Sequence, residues 1–188
     1  MAPAILILPG LYNSGPGHWQ TLWQAALPNA RRVQQKNWER PNRCDWVAAL
    51  DAAIAAADGT VILAAHSLGC ATAAWWAAEC RGAPHAGKVR GALLVAPPDV
   101  ERADFSGLAS GFGPMPRIVL PFKAIVVASS DDPWCQLPRA QAWAADWNAC
   151  FQDIGPRGHV NADSGLADWP QGQHWMNDLS SCCVMETG

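Results

Sequence analysis

The 188-residue sequence has no basic stripe and no long apolar run. Its thirteen lysine and arginine residues are scattered, and the longest basic run is the pair Arg31–Arg32. It therefore lacks the basic patches that bind nucleic acid or anionic lipid. No segment approaches the roughly 20 apolar residues that span a bilayer. We expect neither nucleic acid nor a membrane as a partner, and the sequence leaves protein partners open.

The cysteines lack the spacing of a metal site or of a disulfide framework. There are seven, an odd number, with no C-x-x-C pair and no histidine–cysteine cluster at zinc spacing. This usage is typical of a reducing compartment, so we expect a cytoplasmic protein. A G-x-G-x-x-G string and a P-loop lysine are also missing, which argues against a flavodoxin-like or nucleotide-binding protein. We expect no metal and no cofactor.

What the sequence does contain is typical of one globular domain. Half of its residues are hydrophobic and 15% are charged, and its length suffices for one well-buried core. The opening MAPAILILPG has no basic start, and its apolar run ends at Pro9, so we expect a buried strand there rather than a signal peptide. We predict a single domain over residues 1–181 and a flexible tail over 182–188.

Short runs rich in Val, Ile and Leu alternate with helical stretches, as in parallel sheets that are covered by helices on both faces. The strong strand candidates are 4–8, 60–65, 90–96 and 124–129, and the weaker ones are 31–35 and 150–154. Helices are predicted at 18–27, 45–57 with Asp45 as N-cap, 137–148 and 171–181. The sequence therefore predicts a three-layer α/β/α sandwich with a mainly parallel sheet of about six strands.

The segment AAHSLGC (64–70) places Ser67 between a predicted buried strand and a predicted helix. This is the context of a nucleophile elbow, in which a serine occupies a strained turn between small neighbours. Ala65 and Gly69 are those neighbours here, although the consensus has glycine where Ala65 stands. The alternative is that Ser67 is only a helix N-cap, a position that serine favours.

A nucleophilic serine needs a base and an orienting acid, which in this fold follow it on loops after later strands. Asp131 and Asp132 follow the strand at 124–129 after a single residue, Ser130. We choose Asp132 as the acid, because Pro133 biases it toward an extended conformation, and keep Asp131 as the second choice. His159 follows the last predicted strand on a Gly-flanked loop and is the predicted base.

The other four histidines fit the role of the base less well. His66 directly precedes the serine, so its side chain leaves the turn in another direction. His85 lies at the far end of the helix that begins at the serine, and His174 lies in the last predicted helix. His18 lies near the mouth of the site but precedes the serine in the chain.

The backbone N–H groups of Leu68 and Leu11 are the candidate oxyanion donors, since Leu68 follows the serine and Leu11 lies in the Gly-rich loop after the first strand. The connection 97–122, dense in Pro and Gly, is the longest segment without a predicted element. It is either a surface loop with a few apolar anchors or part of a confined substrate pocket. For that pocket we expect an apolar wall formed by Trp19, Phe105, Phe112, Met115 and Trp134.

Several stretches together resemble one family of small serine hydrolases, the retinoblastoma-binding protein nine (YdeN-like) family of the α/β-hydrolase superfamily. They are LPG followed by HWQ near the start, NWERP at 37–41, AHSLG at the serine, LLVAPPD at 93–99, SDDP at 130–133 and GHVN at 158–161. The resemblance implies a compact α/β-hydrolase without a large cap, with Ser67 as nucleophile, Asp132 as acid and His159 as base. No L-x-C-x-E string is present, and the resemblance ends at about residue 180.

The sequence thus predicts a carboxylesterase-like serine hydrolase that acts on small acyl esters, with water releasing the acid from an acyl-enzyme. Thioesterase or peptidase activity on small substrates stays open as an alternative. A second alternative, from another class, is a catalytically silent binding protein with the hydrolase fold.

Overall fold

Six parallel strands form the central sheet of the computed structural model, which describes residues 2–105 and 107–180. They are β1 (Ala4–Leu8), β2 (Ala30–Arg32), β3 (Val61–His66), β4 (Val89–Val95), β5 (Lys123–Ala128) and β6 (Cys150–Asp153). Across the sheet their order is β2-β1-β3-β4-β5-β6, with every neighbouring pair parallel. The predicted tail at 182–188 lies outside the described residues.

Five helices cover the two faces of this part of the chain: α1 (Trp19–Ala26), α2 (Arg43–Ala56), α3 (Leu68–Cys80), α4 (Leu137–Asp146) and α5 (Pro170–Ser180). Because successive strand residues point to opposite faces, Leu6 and Leu8 of β1 pack toward α2, α3 and α4. Ile5 and Ile7 pack on the other face, toward α1 and α5. The predicted three-layer α/β/α sandwich with six strands is confirmed.

The two strands at the edges of the sheet are shorter than the sequence predicted. β2 spans Ala30–Arg32 instead of 31–35, and β6 spans Cys150–Asp153 instead of 150–154. The central strand β3, by contrast, is buried at all six positions, which is why residues 61–65 form an unbroken apolar run before His66. The edge strands are partly exposed and carry polar residues, so their sequence gives a weaker signal.

The N-cap of α2 is Asn42, which corrects the prediction of Asp45. Asn42 has an extended backbone, and its side-chain oxygen accepts hydrogen bonds from the N–H groups of Cys44 and Asp45. The helix therefore begins at Arg43, and Asp45 lies in its first turn, where a negative charge suits the helix dipole.

The connection between β4 and β5 has no helix or strand among its described residues, yet much of it is packed into the protein. Phe105, Phe112 and Met115 are at most 4% exposed and belong to the core on the side of α2, α3 and α4. Ser110 also pairs with Asn42 in an isolated bridge. The segment is therefore a packed connection held by apolar anchors, rather than a separate cap.

The first turn of α3 lies directly against the end of β1. A Cβ atom added at Gly69 would stand 2.2 Å from the carbonyl oxygen of Leu8, which is far closer than any side-chain carbon can approach. Only glycine therefore allows this helix to start where it does. The contact places Ser67 beside the loop that follows β1.

We expect Gly69→Ala to lower the free energy of unfolding by about 3 kcal/mol, because the obstacle is backbone that cannot rotate away. Urea unfolding followed by circular dichroism measures the change. Gly59→Ala is the matched control, since an added Cβ there meets nothing within 4 Å. It should shift the free energy by no more than about 0.5 kcal/mol. Equal midpoints for the two variants would contradict the close approach.

Candidate active site

Ser67 forms the tight turn between β3 and α3. Its backbone has φ 53° and ψ −124°, a conformation that costs energy for a residue with a side chain. The Ser67 N–H donates to the carbonyl oxygen of Val95 at 2.9 Å, which ties the turn to the neighbouring strand. Although Ser67 occupies the N-cap position of α3, its hydroxyl makes no capping hydrogen bond. Its side chain is thus left to contact other groups.

The hydroxyl of Ser67 contacts His159, and His159 contacts Asp132. The distance from Ser67 Oγ to His159 Nε2 is 2.8 Å. On the other side of the ring, Nδ1 lies 2.9 Å from both carboxylate oxygens of Asp132. The Asp132 side chain is 2% exposed and that of His159 is 12% exposed, so the row of three groups is largely shielded from water. The structure brings together the three residues that the sequence selected.

The topology of the sheet explains how residues so far apart in the chain meet. Ser67 follows β3, Asp132 lies just beyond β5, and His159 lies on the loop after β6. The carboxyl ends of parallel strands open on the same edge of the sheet, where ligands bind in this type of fold. The N–H of Trp134 donates to the Asp132 carboxylate at 2.8 Å and helps to fix its orientation.

Asp131 holds the loop that carries His159 and does not contact the imidazole. One of its oxygens accepts hydrogen bonds from Ser129 Oγ and from the N–H of Gly158, both at 2.7 Å. These two hydrogen bonds, led by that of Ser129, lower the pKa of the Asp131 carboxyl. Ser129 Oγ in turn accepts from the N–H of Arg157 at 2.8 Å. The two adjacent aspartates therefore have different contacts.

His66 supports the same loop from within the protein. Its Nε2 lies 2.8 Å from the backbone carbonyl oxygen of His159. Burial lowers the pKa of His66 well below its ordinary value, so the ring is neutral and its Nε2–H donates to that carbonyl. This support by His66 could not be predicted from the sequence, because a contact across 93 residues leaves no local signal.

The loop after β1 lies against Ser67. A Cβ added at Gly10 would stand 2.7 Å from Ser67 Cβ and 3.2 Å from the backbone nitrogen of Leu68. Leu68 is the first residue of α3, so its N–H has no acceptor within the helix. Leu11 lines the cavity above the serine. The two candidate oxyanion donors are thus on neighbouring segments at the serine.

A cavity of about 210 Å³ opens over Ser67 and His159. Its apolar wall includes Phe105, Leu108 and Trp134, and its polar lining includes His18 and His66. The sequence had predicted Phe105 and Trp134 in this wall and had placed His18 near the mouth of the site, but it had not predicted His66 as part of the lining. Tyr12, Asn13 and Asn161 also line the cavity.

Trp19, Phe112 and Met115 do not line this cavity, which corrects the predicted pocket. Trp19 is 1% exposed, packs against the rings of Trp23 and Trp169, and donates its Nε1–H to the carbonyl oxygen of Val160. It therefore supports the His159 loop from the core. Phe112 and Met115 belong to the core on the opposite face of the sheet. These three large apolar side chains therefore pack into the core and do not face the substrate.

Comparisons with known proteins identify the family of this chain. A family model described as serine hydrolase matches residues 5–178 of the chain. The chain belongs to the serine hydrolase family. A putative YdeN-like hydrolase from Pectobacterium atrosepticum has 28% sequence identity and a TM-score of 0.82, with 95% of this chain and 91% of that chain covered. The resemblance to YdeN-like α/β-hydrolases that the sequence motifs indicated is confirmed.

Two more distant structures share the fold of this serine hydrolase. The ydeN gene product from B. subtilis is 17% identical, with a TM-score of 0.69, and 94% of this chain and 98% of that chain are covered. The carboxylesterase from Bacillus cereus is 16% identical, with a TM-score of 0.58 and coverage of 95% and 89%. Among curated proteins, none matches the sequence.

The buried thiols of Cys70 and Cys135 are not reactive nucleophiles in this hydrolase. Burial raises the pKa of the Cys70 thiol well above its ordinary value and that of Cys135 to about 12, so neither is ionised near neutral pH. The described residues include no group of three side chains arranged to hold a metal ion. No described helix is long and apolar enough to cross a membrane.

His18 should make the stability of the hydrolase depend on pH. Burial, followed by the charges of Arg32 and His159, lowers the pKa of His18 from 6.5 to about 4. The unfolded chain therefore binds more protons than the folded one between these values, and the free energy of unfolding falls as pH drops from 6.5 toward 4. His18 alone contributes a loss of roughly 3 kcal/mol across this window.

Urea unfolding of wild type and His18→Asn at several pH values between 7.5 and 4.5 measures this effect. The fall in stability should be shallower in His18→Asn than in wild type. His174→Asn is the control, because that side chain is 75% exposed in the folded protein, and its curve should follow wild type. Parallel curves for wild type and His18→Asn would contradict the burial of a neutral His18.

Proposed function

We propose that this serine hydrolase cleaves small acyl esters through an acyl-enzyme formed on Ser67. The observation that carries the proposal is the continuous row of contacts from Ser67 Oγ to His159 Nε2, and from His159 Nδ1 to Asp132. A serine hydroxyl is a weak nucleophile until an adjacent base takes its proton, and an imidazole oriented by a carboxylate is such a base.

In the proposed reaction, Ser67 Oγ attacks the ester carbonyl carbon while His159 Nε2 takes the hydroxyl proton. Asp132 keeps the imidazole in the correct tautomer and stabilises its charged form. The N–H groups of Leu68 and Leu11 stabilise the negative oxygen of the tetrahedral intermediate. His159 then gives the proton to the departing alcohol, leaving the acyl group on Ser67. Water, activated by the same histidine, releases the acid and restores the serine.

The size and lining of the cavity favour short acyl groups. Its volume of about 210 Å³ is below the roughly 300 Å³ at which drug-sized pockets begin. Phe105, Leu108 and Trp134 supply apolar surface, so a methylene group gains free energy only while space remains. Thioesters and small amides would fit the same chemistry. An ester is the first choice because its alcohol leaves more readily than an amine. A cytoplasmic location stays a prediction from cysteine usage.

The alternative is a catalytically silent binding protein. The shielded contacts among Ser67, His159 and Asp132 argue against it, because binding alone does not require a base in contact with a serine. Covalent labelling by a fluorophosphonate probe separates the two proposals. Wild type should be labelled at Ser67, as identified by mass spectrometry, and Ser67→Ala should not. A folded wild-type protein that neither takes up the probe nor cleaves esters would refute the proposed function.

Ser67→Ala should reduce kcat/KM for p-nitrophenyl butyrate by a factor on the order of 10⁴ to 10⁶. His159→Ala should be about as damaging, and the double variant should be little worse than either, because the two groups act as a unit. Steady-state kinetics measures the rates, and circular dichroism checks that each variant is folded. Additive losses in the double variant would contradict a shared mechanism.

Asp132→Asn and Asp131→Asn form a matched pair of adjacent substitutions. Asp132→Asn should lower kcat by about 10⁴, because an amide no longer holds the imidazole in the required tautomer. Asp131→Asn weakens only the hydrogen bonds to Ser129 and Gly158, so its loss should stay within about tenfold. Comparing kcat for the two variants tests the assignment of the acid. The reverse order would assign that role to Asp131.

A further inference from the structure

His18 lines the cavity and carries a hydrogen-bond donor that the protein itself does not use. It is the N-cap of α1, and its Nδ1 accepts a hydrogen bond from the N–H of Gln20 at 3.1 Å. A neutral imidazole that accepts at Nδ1 carries its proton on Nε2. The tautomer of His18 is therefore fixed by the backbone of the helix that it caps.

The Nε2–H of His18 has no hydrogen-bond partner among the described residues, although the atom is buried. The whole residue is only 4% exposed, and it lines the same cavity as Ser67 and His159. Its ring packs edge-on against His66, with 4.6 Å between ring centroids, which restricts its movement. A buried donor without a partner is costly, and such groups in folded proteins usually have a role.

The charges around His18 favour an oxygen acceptor in the cavity. Arg32 donates to Asn13, Thr21 and other neutral groups and makes no ion pair with an acid in the described part of the chain. The lining of the cavity contains no Asp or Glu side chain that would repel an electron-rich atom. Burial and the Arg32 charge keep the pKa of His18 low, so the ring donates as a neutral group.

We propose that His18 Nε2–H donates a hydrogen bond to a substrate oxygen other than those of the ester being cleaved. The preferred substrates are then short acyl esters whose acyl part carries an ether, hydroxyl or carbonyl oxygen. The alcohol must depart toward solvent, whereas His18 Nε2 is buried, so the contact belongs to the acyl part that stays on the enzyme. This inference rests on the proposed function, since it concerns the same cavity.

Pairs of esters of nearly equal size test the donor. In p-nitrophenyl methoxyacetate an oxygen replaces one CH₂ of p-nitrophenyl butyrate, and the 3-methoxypropanoate and pentanoate esters form a second pair with the oxygen one position further out. The ether esters differ from the alkyl esters in intrinsic reactivity. That difference cancels when the ratio of kcat/KM for ether over alkyl ester is compared between enzyme variants.

Two substitutions distinguish the effect of losing the Nε2–H donor from the effect of losing the N-cap of α1. His18→Asn keeps a side-chain oxygen that can accept from the Gln20 N–H but removes the donor at the Nε2 position. His18→Gln reaches the Nε2 position with an N–H group but gives up the cap. For at least one ester pair, the ether-over-alkyl ratio should fall about tenfold in His18→Asn, mainly through KM. It should stay close to wild type in His18→Gln. A purely structural role for His18 would lower the rates for both esters of a pair equally.

Equal ratios in wild type and His18→Asn for both pairs would overturn the inference while leaving the proposed function intact. Failure of the proposed function would instead appear as wild type cleaving none of the esters. In that case calorimetric binding of the same esters to Ser67→Ala, with and without His18→Asn, still tests the donor. Tighter binding of an ether ester that is lost with His18→Asn supports the inference, and the absence of such a difference overturns it.

Discussion

The strained turn at Ser67 is the constraint on which the rest of the site depends. A residue with a side chain is held at φ 53° because the strand before it and the helix after it are both fixed by packing. Gly69 lets the helix approach the Leu8 carbonyl, and Gly10 lets the neighbouring loop reach the serine. The energy cost of the turn is offset by this buried surrounding structure. The result is a hydroxyl directed away from its own helix and toward the loop after β6.

The loop that carries His159 has no helix or strand between β6 and Ala162, and polar contacts replace regular structure there. Asp131 accepts from Gly158 on one side, and His66 contacts the carbonyl of His159 from below. Trp19 donates to the next carbonyl, that of Val160. These contacts come from three separate segments of the chain. The position of the imidazole is therefore set by the assembled fold rather than by its own loop.

The contrast between local patterns and contacts across distant segments explains what the sequence could and could not predict. The strands, the helices and the order Ser67, Asp132, His159 follow from local periodicity and from the rule that parallel strands open on one edge. The wall of the cavity does not follow from such local rules, because an apolar side chain packs into the core or toward the substrate according to distant neighbours. Trp19 and Phe112 were misplaced for this reason, and the supporting contact of His66 left no local pattern.

Three histidines lie close together at the site, with 4.6 Å between the rings of His18 and His66 and 4.9 Å between those of His66 and His159. Burial lowers the pKa of His18 and of His66, so neither competes for a proton near neutral pH. Of these three rings, His159 is the one in contact with a carboxylate, that of Asp132.

The different surroundings of His18, His66 and His159 thus give these three histidines different roles. In the proposed reaction only His159 can hold a positive charge, because Asp132 stabilises it there. A second charged imidazole beside it would oppose that protonation. The two neutral rings are therefore useful as fixed donors: His66 donates to the backbone of the His159 loop, and His18, in our proposal, donates to a substrate oxygen.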